Sequence, residues 1–97
     1  MILYFSIIAA VNKKNKSTLA AIFEDPVRSD ILWTDIERLL YALGAEITEG
    51  RGSRVRIALR DVRAVFHRPH PRKVTDKGSV KSMRRFLIAA GVKDVEV

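Results

Sequence analysis

The stretch Gly50-Arg51-Gly52-Ser53-Arg54-Val55-Arg56-Ile57-Ala58-Leu59-Arg60 sorts its side chains into two sets. In an extended chain Val55, Ile57 and Leu59 share one face, while Arg54, Arg56, Ala58 and Arg60 share the other, the period-2 pattern of a half-buried strand with a basic outer face. Gly50-Arg51-Gly52 reads as a turn, and Ala45 to Glu49 as a shorter strand before it. On the far side Asp61-Val62 reads as a tight connection into a third strand, Arg63 to Arg68. Connections this short join antiparallel neighbours, because parallel pairing needs a long crossover. The central region is therefore expected to be a three-stranded antiparallel meander.

Around it the apolar period is 3.6. Upstream, Ile36, Leu39, Leu40 and Leu43 form one helical stripe, Thr34 and Glu37 have the spacing of a capping box, and Gly44 stands where a C-terminal cap belongs. Downstream, Pro69-His70-Pro71 ends the third strand and a polar loop runs to Thr75. A last helix follows from about Gly78 to Ala90, with Val80, Met83, Phe86, Leu87 and Ala90 inward, Lys77, Lys81, Arg84 and Arg85 in solvent, and Gly91 as its stop. A shorter helix within Ser17 to Asp25, with Leu19, Ile22 and Phe23 on one side, is stopped by Pro26. Lys93 to Val97 alternates and could add an edge strand. The fold class is α+β: helices on one face of the sheet and the other face open.

At 97 residues the chain is expected to form one domain. It has no cysteine, which excludes disulfide frameworks and thiolate metal sites and is compatible with the cytoplasm, the compartment we expect. The opening apolar run, MILYFSIIAAV, is shorter than the roughly 20 residues a spanning helix needs, and its positive charges follow rather than precede it, unlike a signal peptide. It reads as a packing segment or an interaction arm, and removal of residues 1–12 is expected to leave a folded domain. No membrane partner is expected. The formal charge of +7 is unevenly spread: residues 1–49 hold 5 Lys/Arg against 7 Asp/Glu, whereas residues 50–97 hold 13 against 4. A segregated basic half points to a polyanion such as RNA, since neutralising phosphates releases condensed counterions.

Three motifs could act on that polyanion, and each also has a plain structural reading. Gly52, Ser53, Arg54 and Arg56 offer backbone amides, a hydroxyl and guanidinium forks to phosphate oxygens; the same residues also suit an ordinary hairpin turn and a solvated strand face. Lys77, Ser79 and Lys81, in Thr75-Asp76-Lys77-Gly78-Ser79-Val80-Lys81, mark the start of the last helix, where free amides and lysines one turn apart can hold an anion, with Arg84 a turn further on; equally the segment is a solvated helix face, with Asp76 placed to cap the helix. His67 and His70 stand in Phe66-His67-Arg68-Pro69-His70-Pro71, and imidazoles exchange protons near neutral pH, as attack of a ribose 2′-hydroxyl on its own phosphodiester requires. Either histidine could equally do no more than orient the loop. With only Asp61 and Asp76 nearby in sequence, no metal site is expected, and no cofactor.

These residues also carry a resemblance. Gly52-Ser53 entering a strand, Arg68-Pro69-His70-Pro71 leaving the sheet, and Lys77-Gly78-Ser79-Val80 running through Leu87 to Ala90-Gly91-Val92 resemble, in order and spacing, the HicA family of bacterial toxins over about residues 31–92. The resemblance implies a double-stranded-RNA-binding-like α-β-β-β-α fold, here with an extra N-terminal helix. It also implies endoribonuclease activity on messenger RNA and neutralisation by a HicB antitoxin. Residues 1–30 would be an N-terminal extension with a short helix, and residues 31–97 the HicA-like RNA-binding domain. In the family the catalytic histidine follows Gly-Ser, a position occupied here by Arg54. His70 matches the family's loop histidine; His67 has no clear counterpart. The expected catalytic set is His70, His67 and Arg54, and the expected RNA contacts are Gly52, Ser53, Arg54, Arg56, Lys77, Ser79, Lys81 and Arg84. The alternative class is a nucleic-acid-binding or antitoxin-binding module that no longer cleaves.

Overall fold

The computed structural model describes residues 11–92. Its elements are α1 (Lys13–Ile22), α2 (Trp33–Ala42), β1 (Glu46–Glu49), β2 (Arg54–Leu59), β3 (Val62–His67) and α3 (Lys77–Ala89). The strands form one antiparallel sheet in the order β1-β2-β3. The architecture is the expected α+β arrangement. Among the described residues no helix is long and apolar enough to cross a membrane. The expectations for the opening apolar run and for an edge strand at Lys93 to Val97 fall outside the described residues, apart from Val11.

Period 2 in β2 becomes burial: Val55, Ile57 and Leu59 are buried, while Arg54 and Arg56 are exposed. Beneath that buried face lie Ile36, Leu39 and Leu40 of α2, and Val80, Met83, Phe86 and Leu87 of α3, in one core. Each fully buried aliphatic side chain there stabilises the fold by about 1.5–3 kcal/mol before chain entropy is subtracted. Aromatic contact links the layers: Phe66 of β3 lies 6.0 Å from the Trp33 ring and 6.1 Å, edge-on, from Phe86. Leu19 and Ile22 of α1 enter the same core at 1% and 0% exposure. Residues 13–22 are therefore packed into the body of the molecule.

Helices α2 and α3 end as expected, with paired backbone bonds of the Schellman type. Ala45 N–H donates to Leu40 O and Gly44 N–H to Tyr41 O; Val92 N–H donates to Leu87 O and Gly91 N–H to Ile88 O. Their starts are less uniform. Asp76 caps α3, its carboxylate accepting from Ser79 N–H at 3.0 Å, and the helix begins at Lys77. The capping box expected at Thr34 and Glu37 does not form. Leu32 occupies the N-cap without a side-chain bond and Thr34 already lies within α2. The reason is tertiary: Leu32 bridges Val74, and Trp33 N–H donates to Lys73 O, so the helix start is set by pairing with the loop before α3.

Two further expectations are corrected. The β2–β3 turn is Arg60-Asp61, with Arg60 at φ 57, and Val62 already pairs with Leu59 in the ladder. The first helix begins earlier than Ser17, because Asn12 caps it by accepting from Asn15 N–H at 2.8 Å.

Candidate nucleic-acid interface

The register places the sequence motifs. Cross-strand rows on the open face of the sheet run Glu46–Ala58–Arg63 and Thr48–Arg56–Val65, and a last row pairs Arg54 with His67. At that end of the sheet the 50–53 turn folds back: Gly50 N–H donates to Arg54 O and Arg54 N–H to Arg51 O. Gly52 has φ +59, a region that side chains avoid, and its missing Cβ would meet nothing within 4 Å. Glycine is needed there for the bend rather than for close approach of a neighbour. Ser53, next in line, stands with its Oγ 3.4 Å from His67 Nδ1. A hydroxyl, an imidazole and a guanidinium are thus collected at one end of the open face.

His70 joins them through the loop. It lines a cleft with Gly52, Ser53, Arg68 and Pro69. On its other side it lines a second cleft with Ser29, Arg72, Asp76 and Lys77 at the start of α3. The loop that carries it is tied at both ends. Upstream, Arg68 Nε donates to Glu37 Oε2 at 2.8 Å and Arg68 Nη1 to Glu49 Oε1 at 2.6 Å, while Arg68 N–H donates to Ser53 O. The same Glu37 oxygen accepts from Trp33 Nε1 at 2.6 Å. Downstream, the Leu32–Val74 bridge and a bond from Thr75 N–H to Ile31 O hold the return into α3.

Electrostatics follow from these contacts. The hydrogen bond from Arg68 holds the Glu49 carboxyl below its ordinary range, and the two carboxylates together raise the Arg68 guanidinium above its own. Hydrogen bonds from the Ser79 hydroxyl and backbone lower Asp76. Among the described residues no group of three or more His, Cys, Asp or Glu side chains is placed to hold a metal ion.

Not every expected RNA contact lies at this end. Arg56 sits one row along the open face, about 7 Å further on, beside Thr48, Ala58 and Val65. Lys77 and Lys81 are exposed one turn apart on α3 and make no ion pair among the described residues. The helix terminus itself is not free: Ser79 gives its N–H to one Asp76 oxygen and its hydroxyl to the other, at 3.0 and 2.8 Å. Arg84, expected in solvent, is held at the end of α1. It donates to Ile22 O, Glu24 O and Asp25 Oδ1 and lies 5.8 Å from the centre of the Phe23 ring. Trp33 and Glu49, which help position the loop, carried no signal in the sequence, and Glu37 was assigned to a helix cap rather than to Trp33 and Arg68.

A basic α+β domain with a hydroxyl, two imidazoles and a guanidinium converging at one end of its sheet is the class that fold and site define. The family model of the HicA toxin of bacterial toxin–antitoxin systems matches residues 33–92, well over half of the chain. The chain belongs to this toxin family. Searches of curated proteins and of solved structures found no match.

Proposed function

We propose that this toxin is an endoribonuclease that cuts messenger RNA without a metal ion, in a double-stranded-RNA-binding-like fold, and that a HicB-like antitoxin neutralises it in the cytoplasm. The observation that carries the reading is the convergence of Ser53, Arg54, His67 and His70 around the end of the sheet. In the reaction the ribose 2′-oxygen bonds to the adjacent phosphorus and the bond from phosphorus to the 5′-oxygen breaks. The products are a 2′,3′-cyclic phosphate and a 5′-hydroxyl. One imidazole takes the 2′-hydroxyl proton and a proton is returned to the leaving 5′-oxygen. His70 is the principal proton carrier, since its loop is held at both ends beside the 52–53 turn and positioning of this kind is what proton transfer needs. His67 is the second, oriented by Ser53. Arg54 cannot serve as a base near neutral pH, so its part is to stabilise charge on the pentavalent phosphorus. Gly52, Ser53, Arg54, Arg56, Lys77 and Lys81 guide the strand. In this reading Ser79 acts through Asp76, and Arg84 serves the fold.

The test is incubation of the full chain with RNA in EDTA, beside His70→Ala and His67→Ala. Loss of a general acid or base should lower the rate by about 10² to 10⁴, with cyclic-phosphate ends formed efficiently only by the unmodified chain. A second reading, RNA binding without cleavage, is favoured by one feature: Arg54 stands where the family resemblance puts histidine. Absence of cutting by the unmodified chain, together with unaffected growth on its expression, would establish that reading instead.

A further inference from the structure

The sheet has an edge, with the part of the open face around Val65, that the proposed cleavage uses only at Arg56 and at the His67 end. Arg68 N–H donates to Ser53 O, so in the alternation of an antiparallel ladder Val62, Ala64 and Phe66 turn their backbone groups toward β2, and Arg63, Val65 and His67 turn theirs away. No strand among the described residues covers that edge. The side chains of Arg63 and Val65 point onto the open face, where Val65 is 57% exposed beside Ala58, in a shallow depression rimmed by Arg56 and Arg63. Neither arginine has an ion-pair partner among the described residues.

Nucleic acid is a poor occupant for this patch. Its centre is aliphatic and, His67 at the end apart, offers no ring on which a base could stack. A second copy of this chain fits no better, since pairing β3 with β3 would bring together the arginine-bearing faces of two chains of charge +7. The patch suits an extended protein segment that carries apolar and acidic residues in turn at every second position, so that both kinds lie on the open face. Its backbone would complete the hydrogen bonds of Arg63, Val65 and His67, its apolar side chains would cover Val65 and Ala58, and its carboxylates would meet Arg56 and Arg63.

We propose that the free edge of β3, with the sheet face around Val65, is the docking surface for an acidic strand of a protein partner, added to the sheet as a fourth strand. Resting on the toxin reading above, this assigns the surface to the neutralising partner. A strand added beside β3 would run past His67 and bring the partner's bulk to the mouth of the cleft that holds His70.

The probe is a synthetic peptide of repeating threonine-valine-threonine-glutamate, which presents valine and glutamate in turn on one face, added to the full chain while amide hydrogen exchange is followed by NMR. The expected result is exchange slowed by at least about tenfold at Arg63, Val65 and His67, with Ile47 and Glu49 on the opposite edge unaffected and the same peptide with lysine in place of glutamate without effect. Val65→Pro removes an outward donor without taking a bond from the β2–β3 ladder, and should abolish the protection while RNA cleavage persists. Arg63→Glu should do the same through charge, and decides the matter if the proline variant fails to fold. Lack of protection by the acidic peptide, equal protection by the basic one, or protection of the Arg63 and Val65 amides by an RNA oligonucleotide instead would overturn the assignment. Failure of the unmodified chain to cut RNA would remove the nuclease reading while leaving the exchange result to judge this one.

Discussion

Asp76 shows how much of the loop–helix junction is local chemistry. Its two oxygens accept from the backbone and hydroxyl of Ser79, which fixes the first turn of α3 beside Lys77 and the His70 loop. Replacing it with alanine should cost about 1 kcal/mol at neutral pH, the usual loss for an N-cap. The same hydrogen bonds lower its folded-state pKa below the unfolded value. Its charge therefore adds stability that is complete above about pH 4, the unfolded value, and is lost as the pH falls through the lower folded value. Urea unfolding of Asp76→Ala and the unmodified chain should thus show a stability gap at pH 7 that narrows below about pH 4. A gap independent of pH would count against the charged cap.

The helices differ in how they are secured, and α1 is the instructive case. It lies outside the matched residues 33–92, yet Ile22 is fully buried and Arg84 of α3 reaches across to the Ile22 carbonyl at its end and to that of Glu24 just beyond. We propose that α1 belongs to the same cooperative unit as the sheet rather than forming a detachable extension. Ile22→Ala should then destabilise the whole molecule by about 2–5 kcal/mol, the usual cost of emptying a core site. Arg84→Ala should cost less, since the freed carbonyls near Glu24 can turn to water. Thermal unfolding followed by circular dichroism and by tryptophan fluorescence checks this, because Trp33 lies in the core beside Phe66. Two separate transitions would show that α1 melts alone.

For the molecule as a whole, charge is segregated by tertiary structure as well as by sequence. Arg54 faces the cleft end with His67, Arg56 lies further along the open face, and Lys77 and Lys81 project from the helix layer. An RNA strand that crosses the end of the sheet would meet Arg54 first and Arg56 only if it turned onto the open face. Alanine at both arginines should weaken RNA binding and reduce the slope of log affinity against log salt by about one to two units. Titrations at several salt concentrations read the slope, and the single variants divide it between the two positions. An unchanged slope in the double variant would exclude both from phosphate contact.

Much of the architecture was determined by sequence alone, because it rests on local periods. Alternation in 54–59 makes a strand with one buried face, stripes in 36–43 and 80–90 make helices, and Gly44 and Gly91 end them; each follows from residues a few positions apart competing to bury the same face. Ser53, Arg54 and His70 could be singled out as chemistry-bearing types, but that His70 lies beside the Ser53–Arg54 turn could not. Tertiary structure alone brought Ser53 to His67 across 14 residues, Arg68 to Glu37 across 31, and Arg84 to Ile22 across 62. It also overrode a local preference, taking Glu37 from an expected cap to Trp33 and Arg68, since pairing of Leu32 with Val74 had already set where the helix begins. A side chain's type and its phase along the chain are properties of neighbouring residues. Its hydrogen-bond partner is chosen only when the packed core brings distant segments within reach.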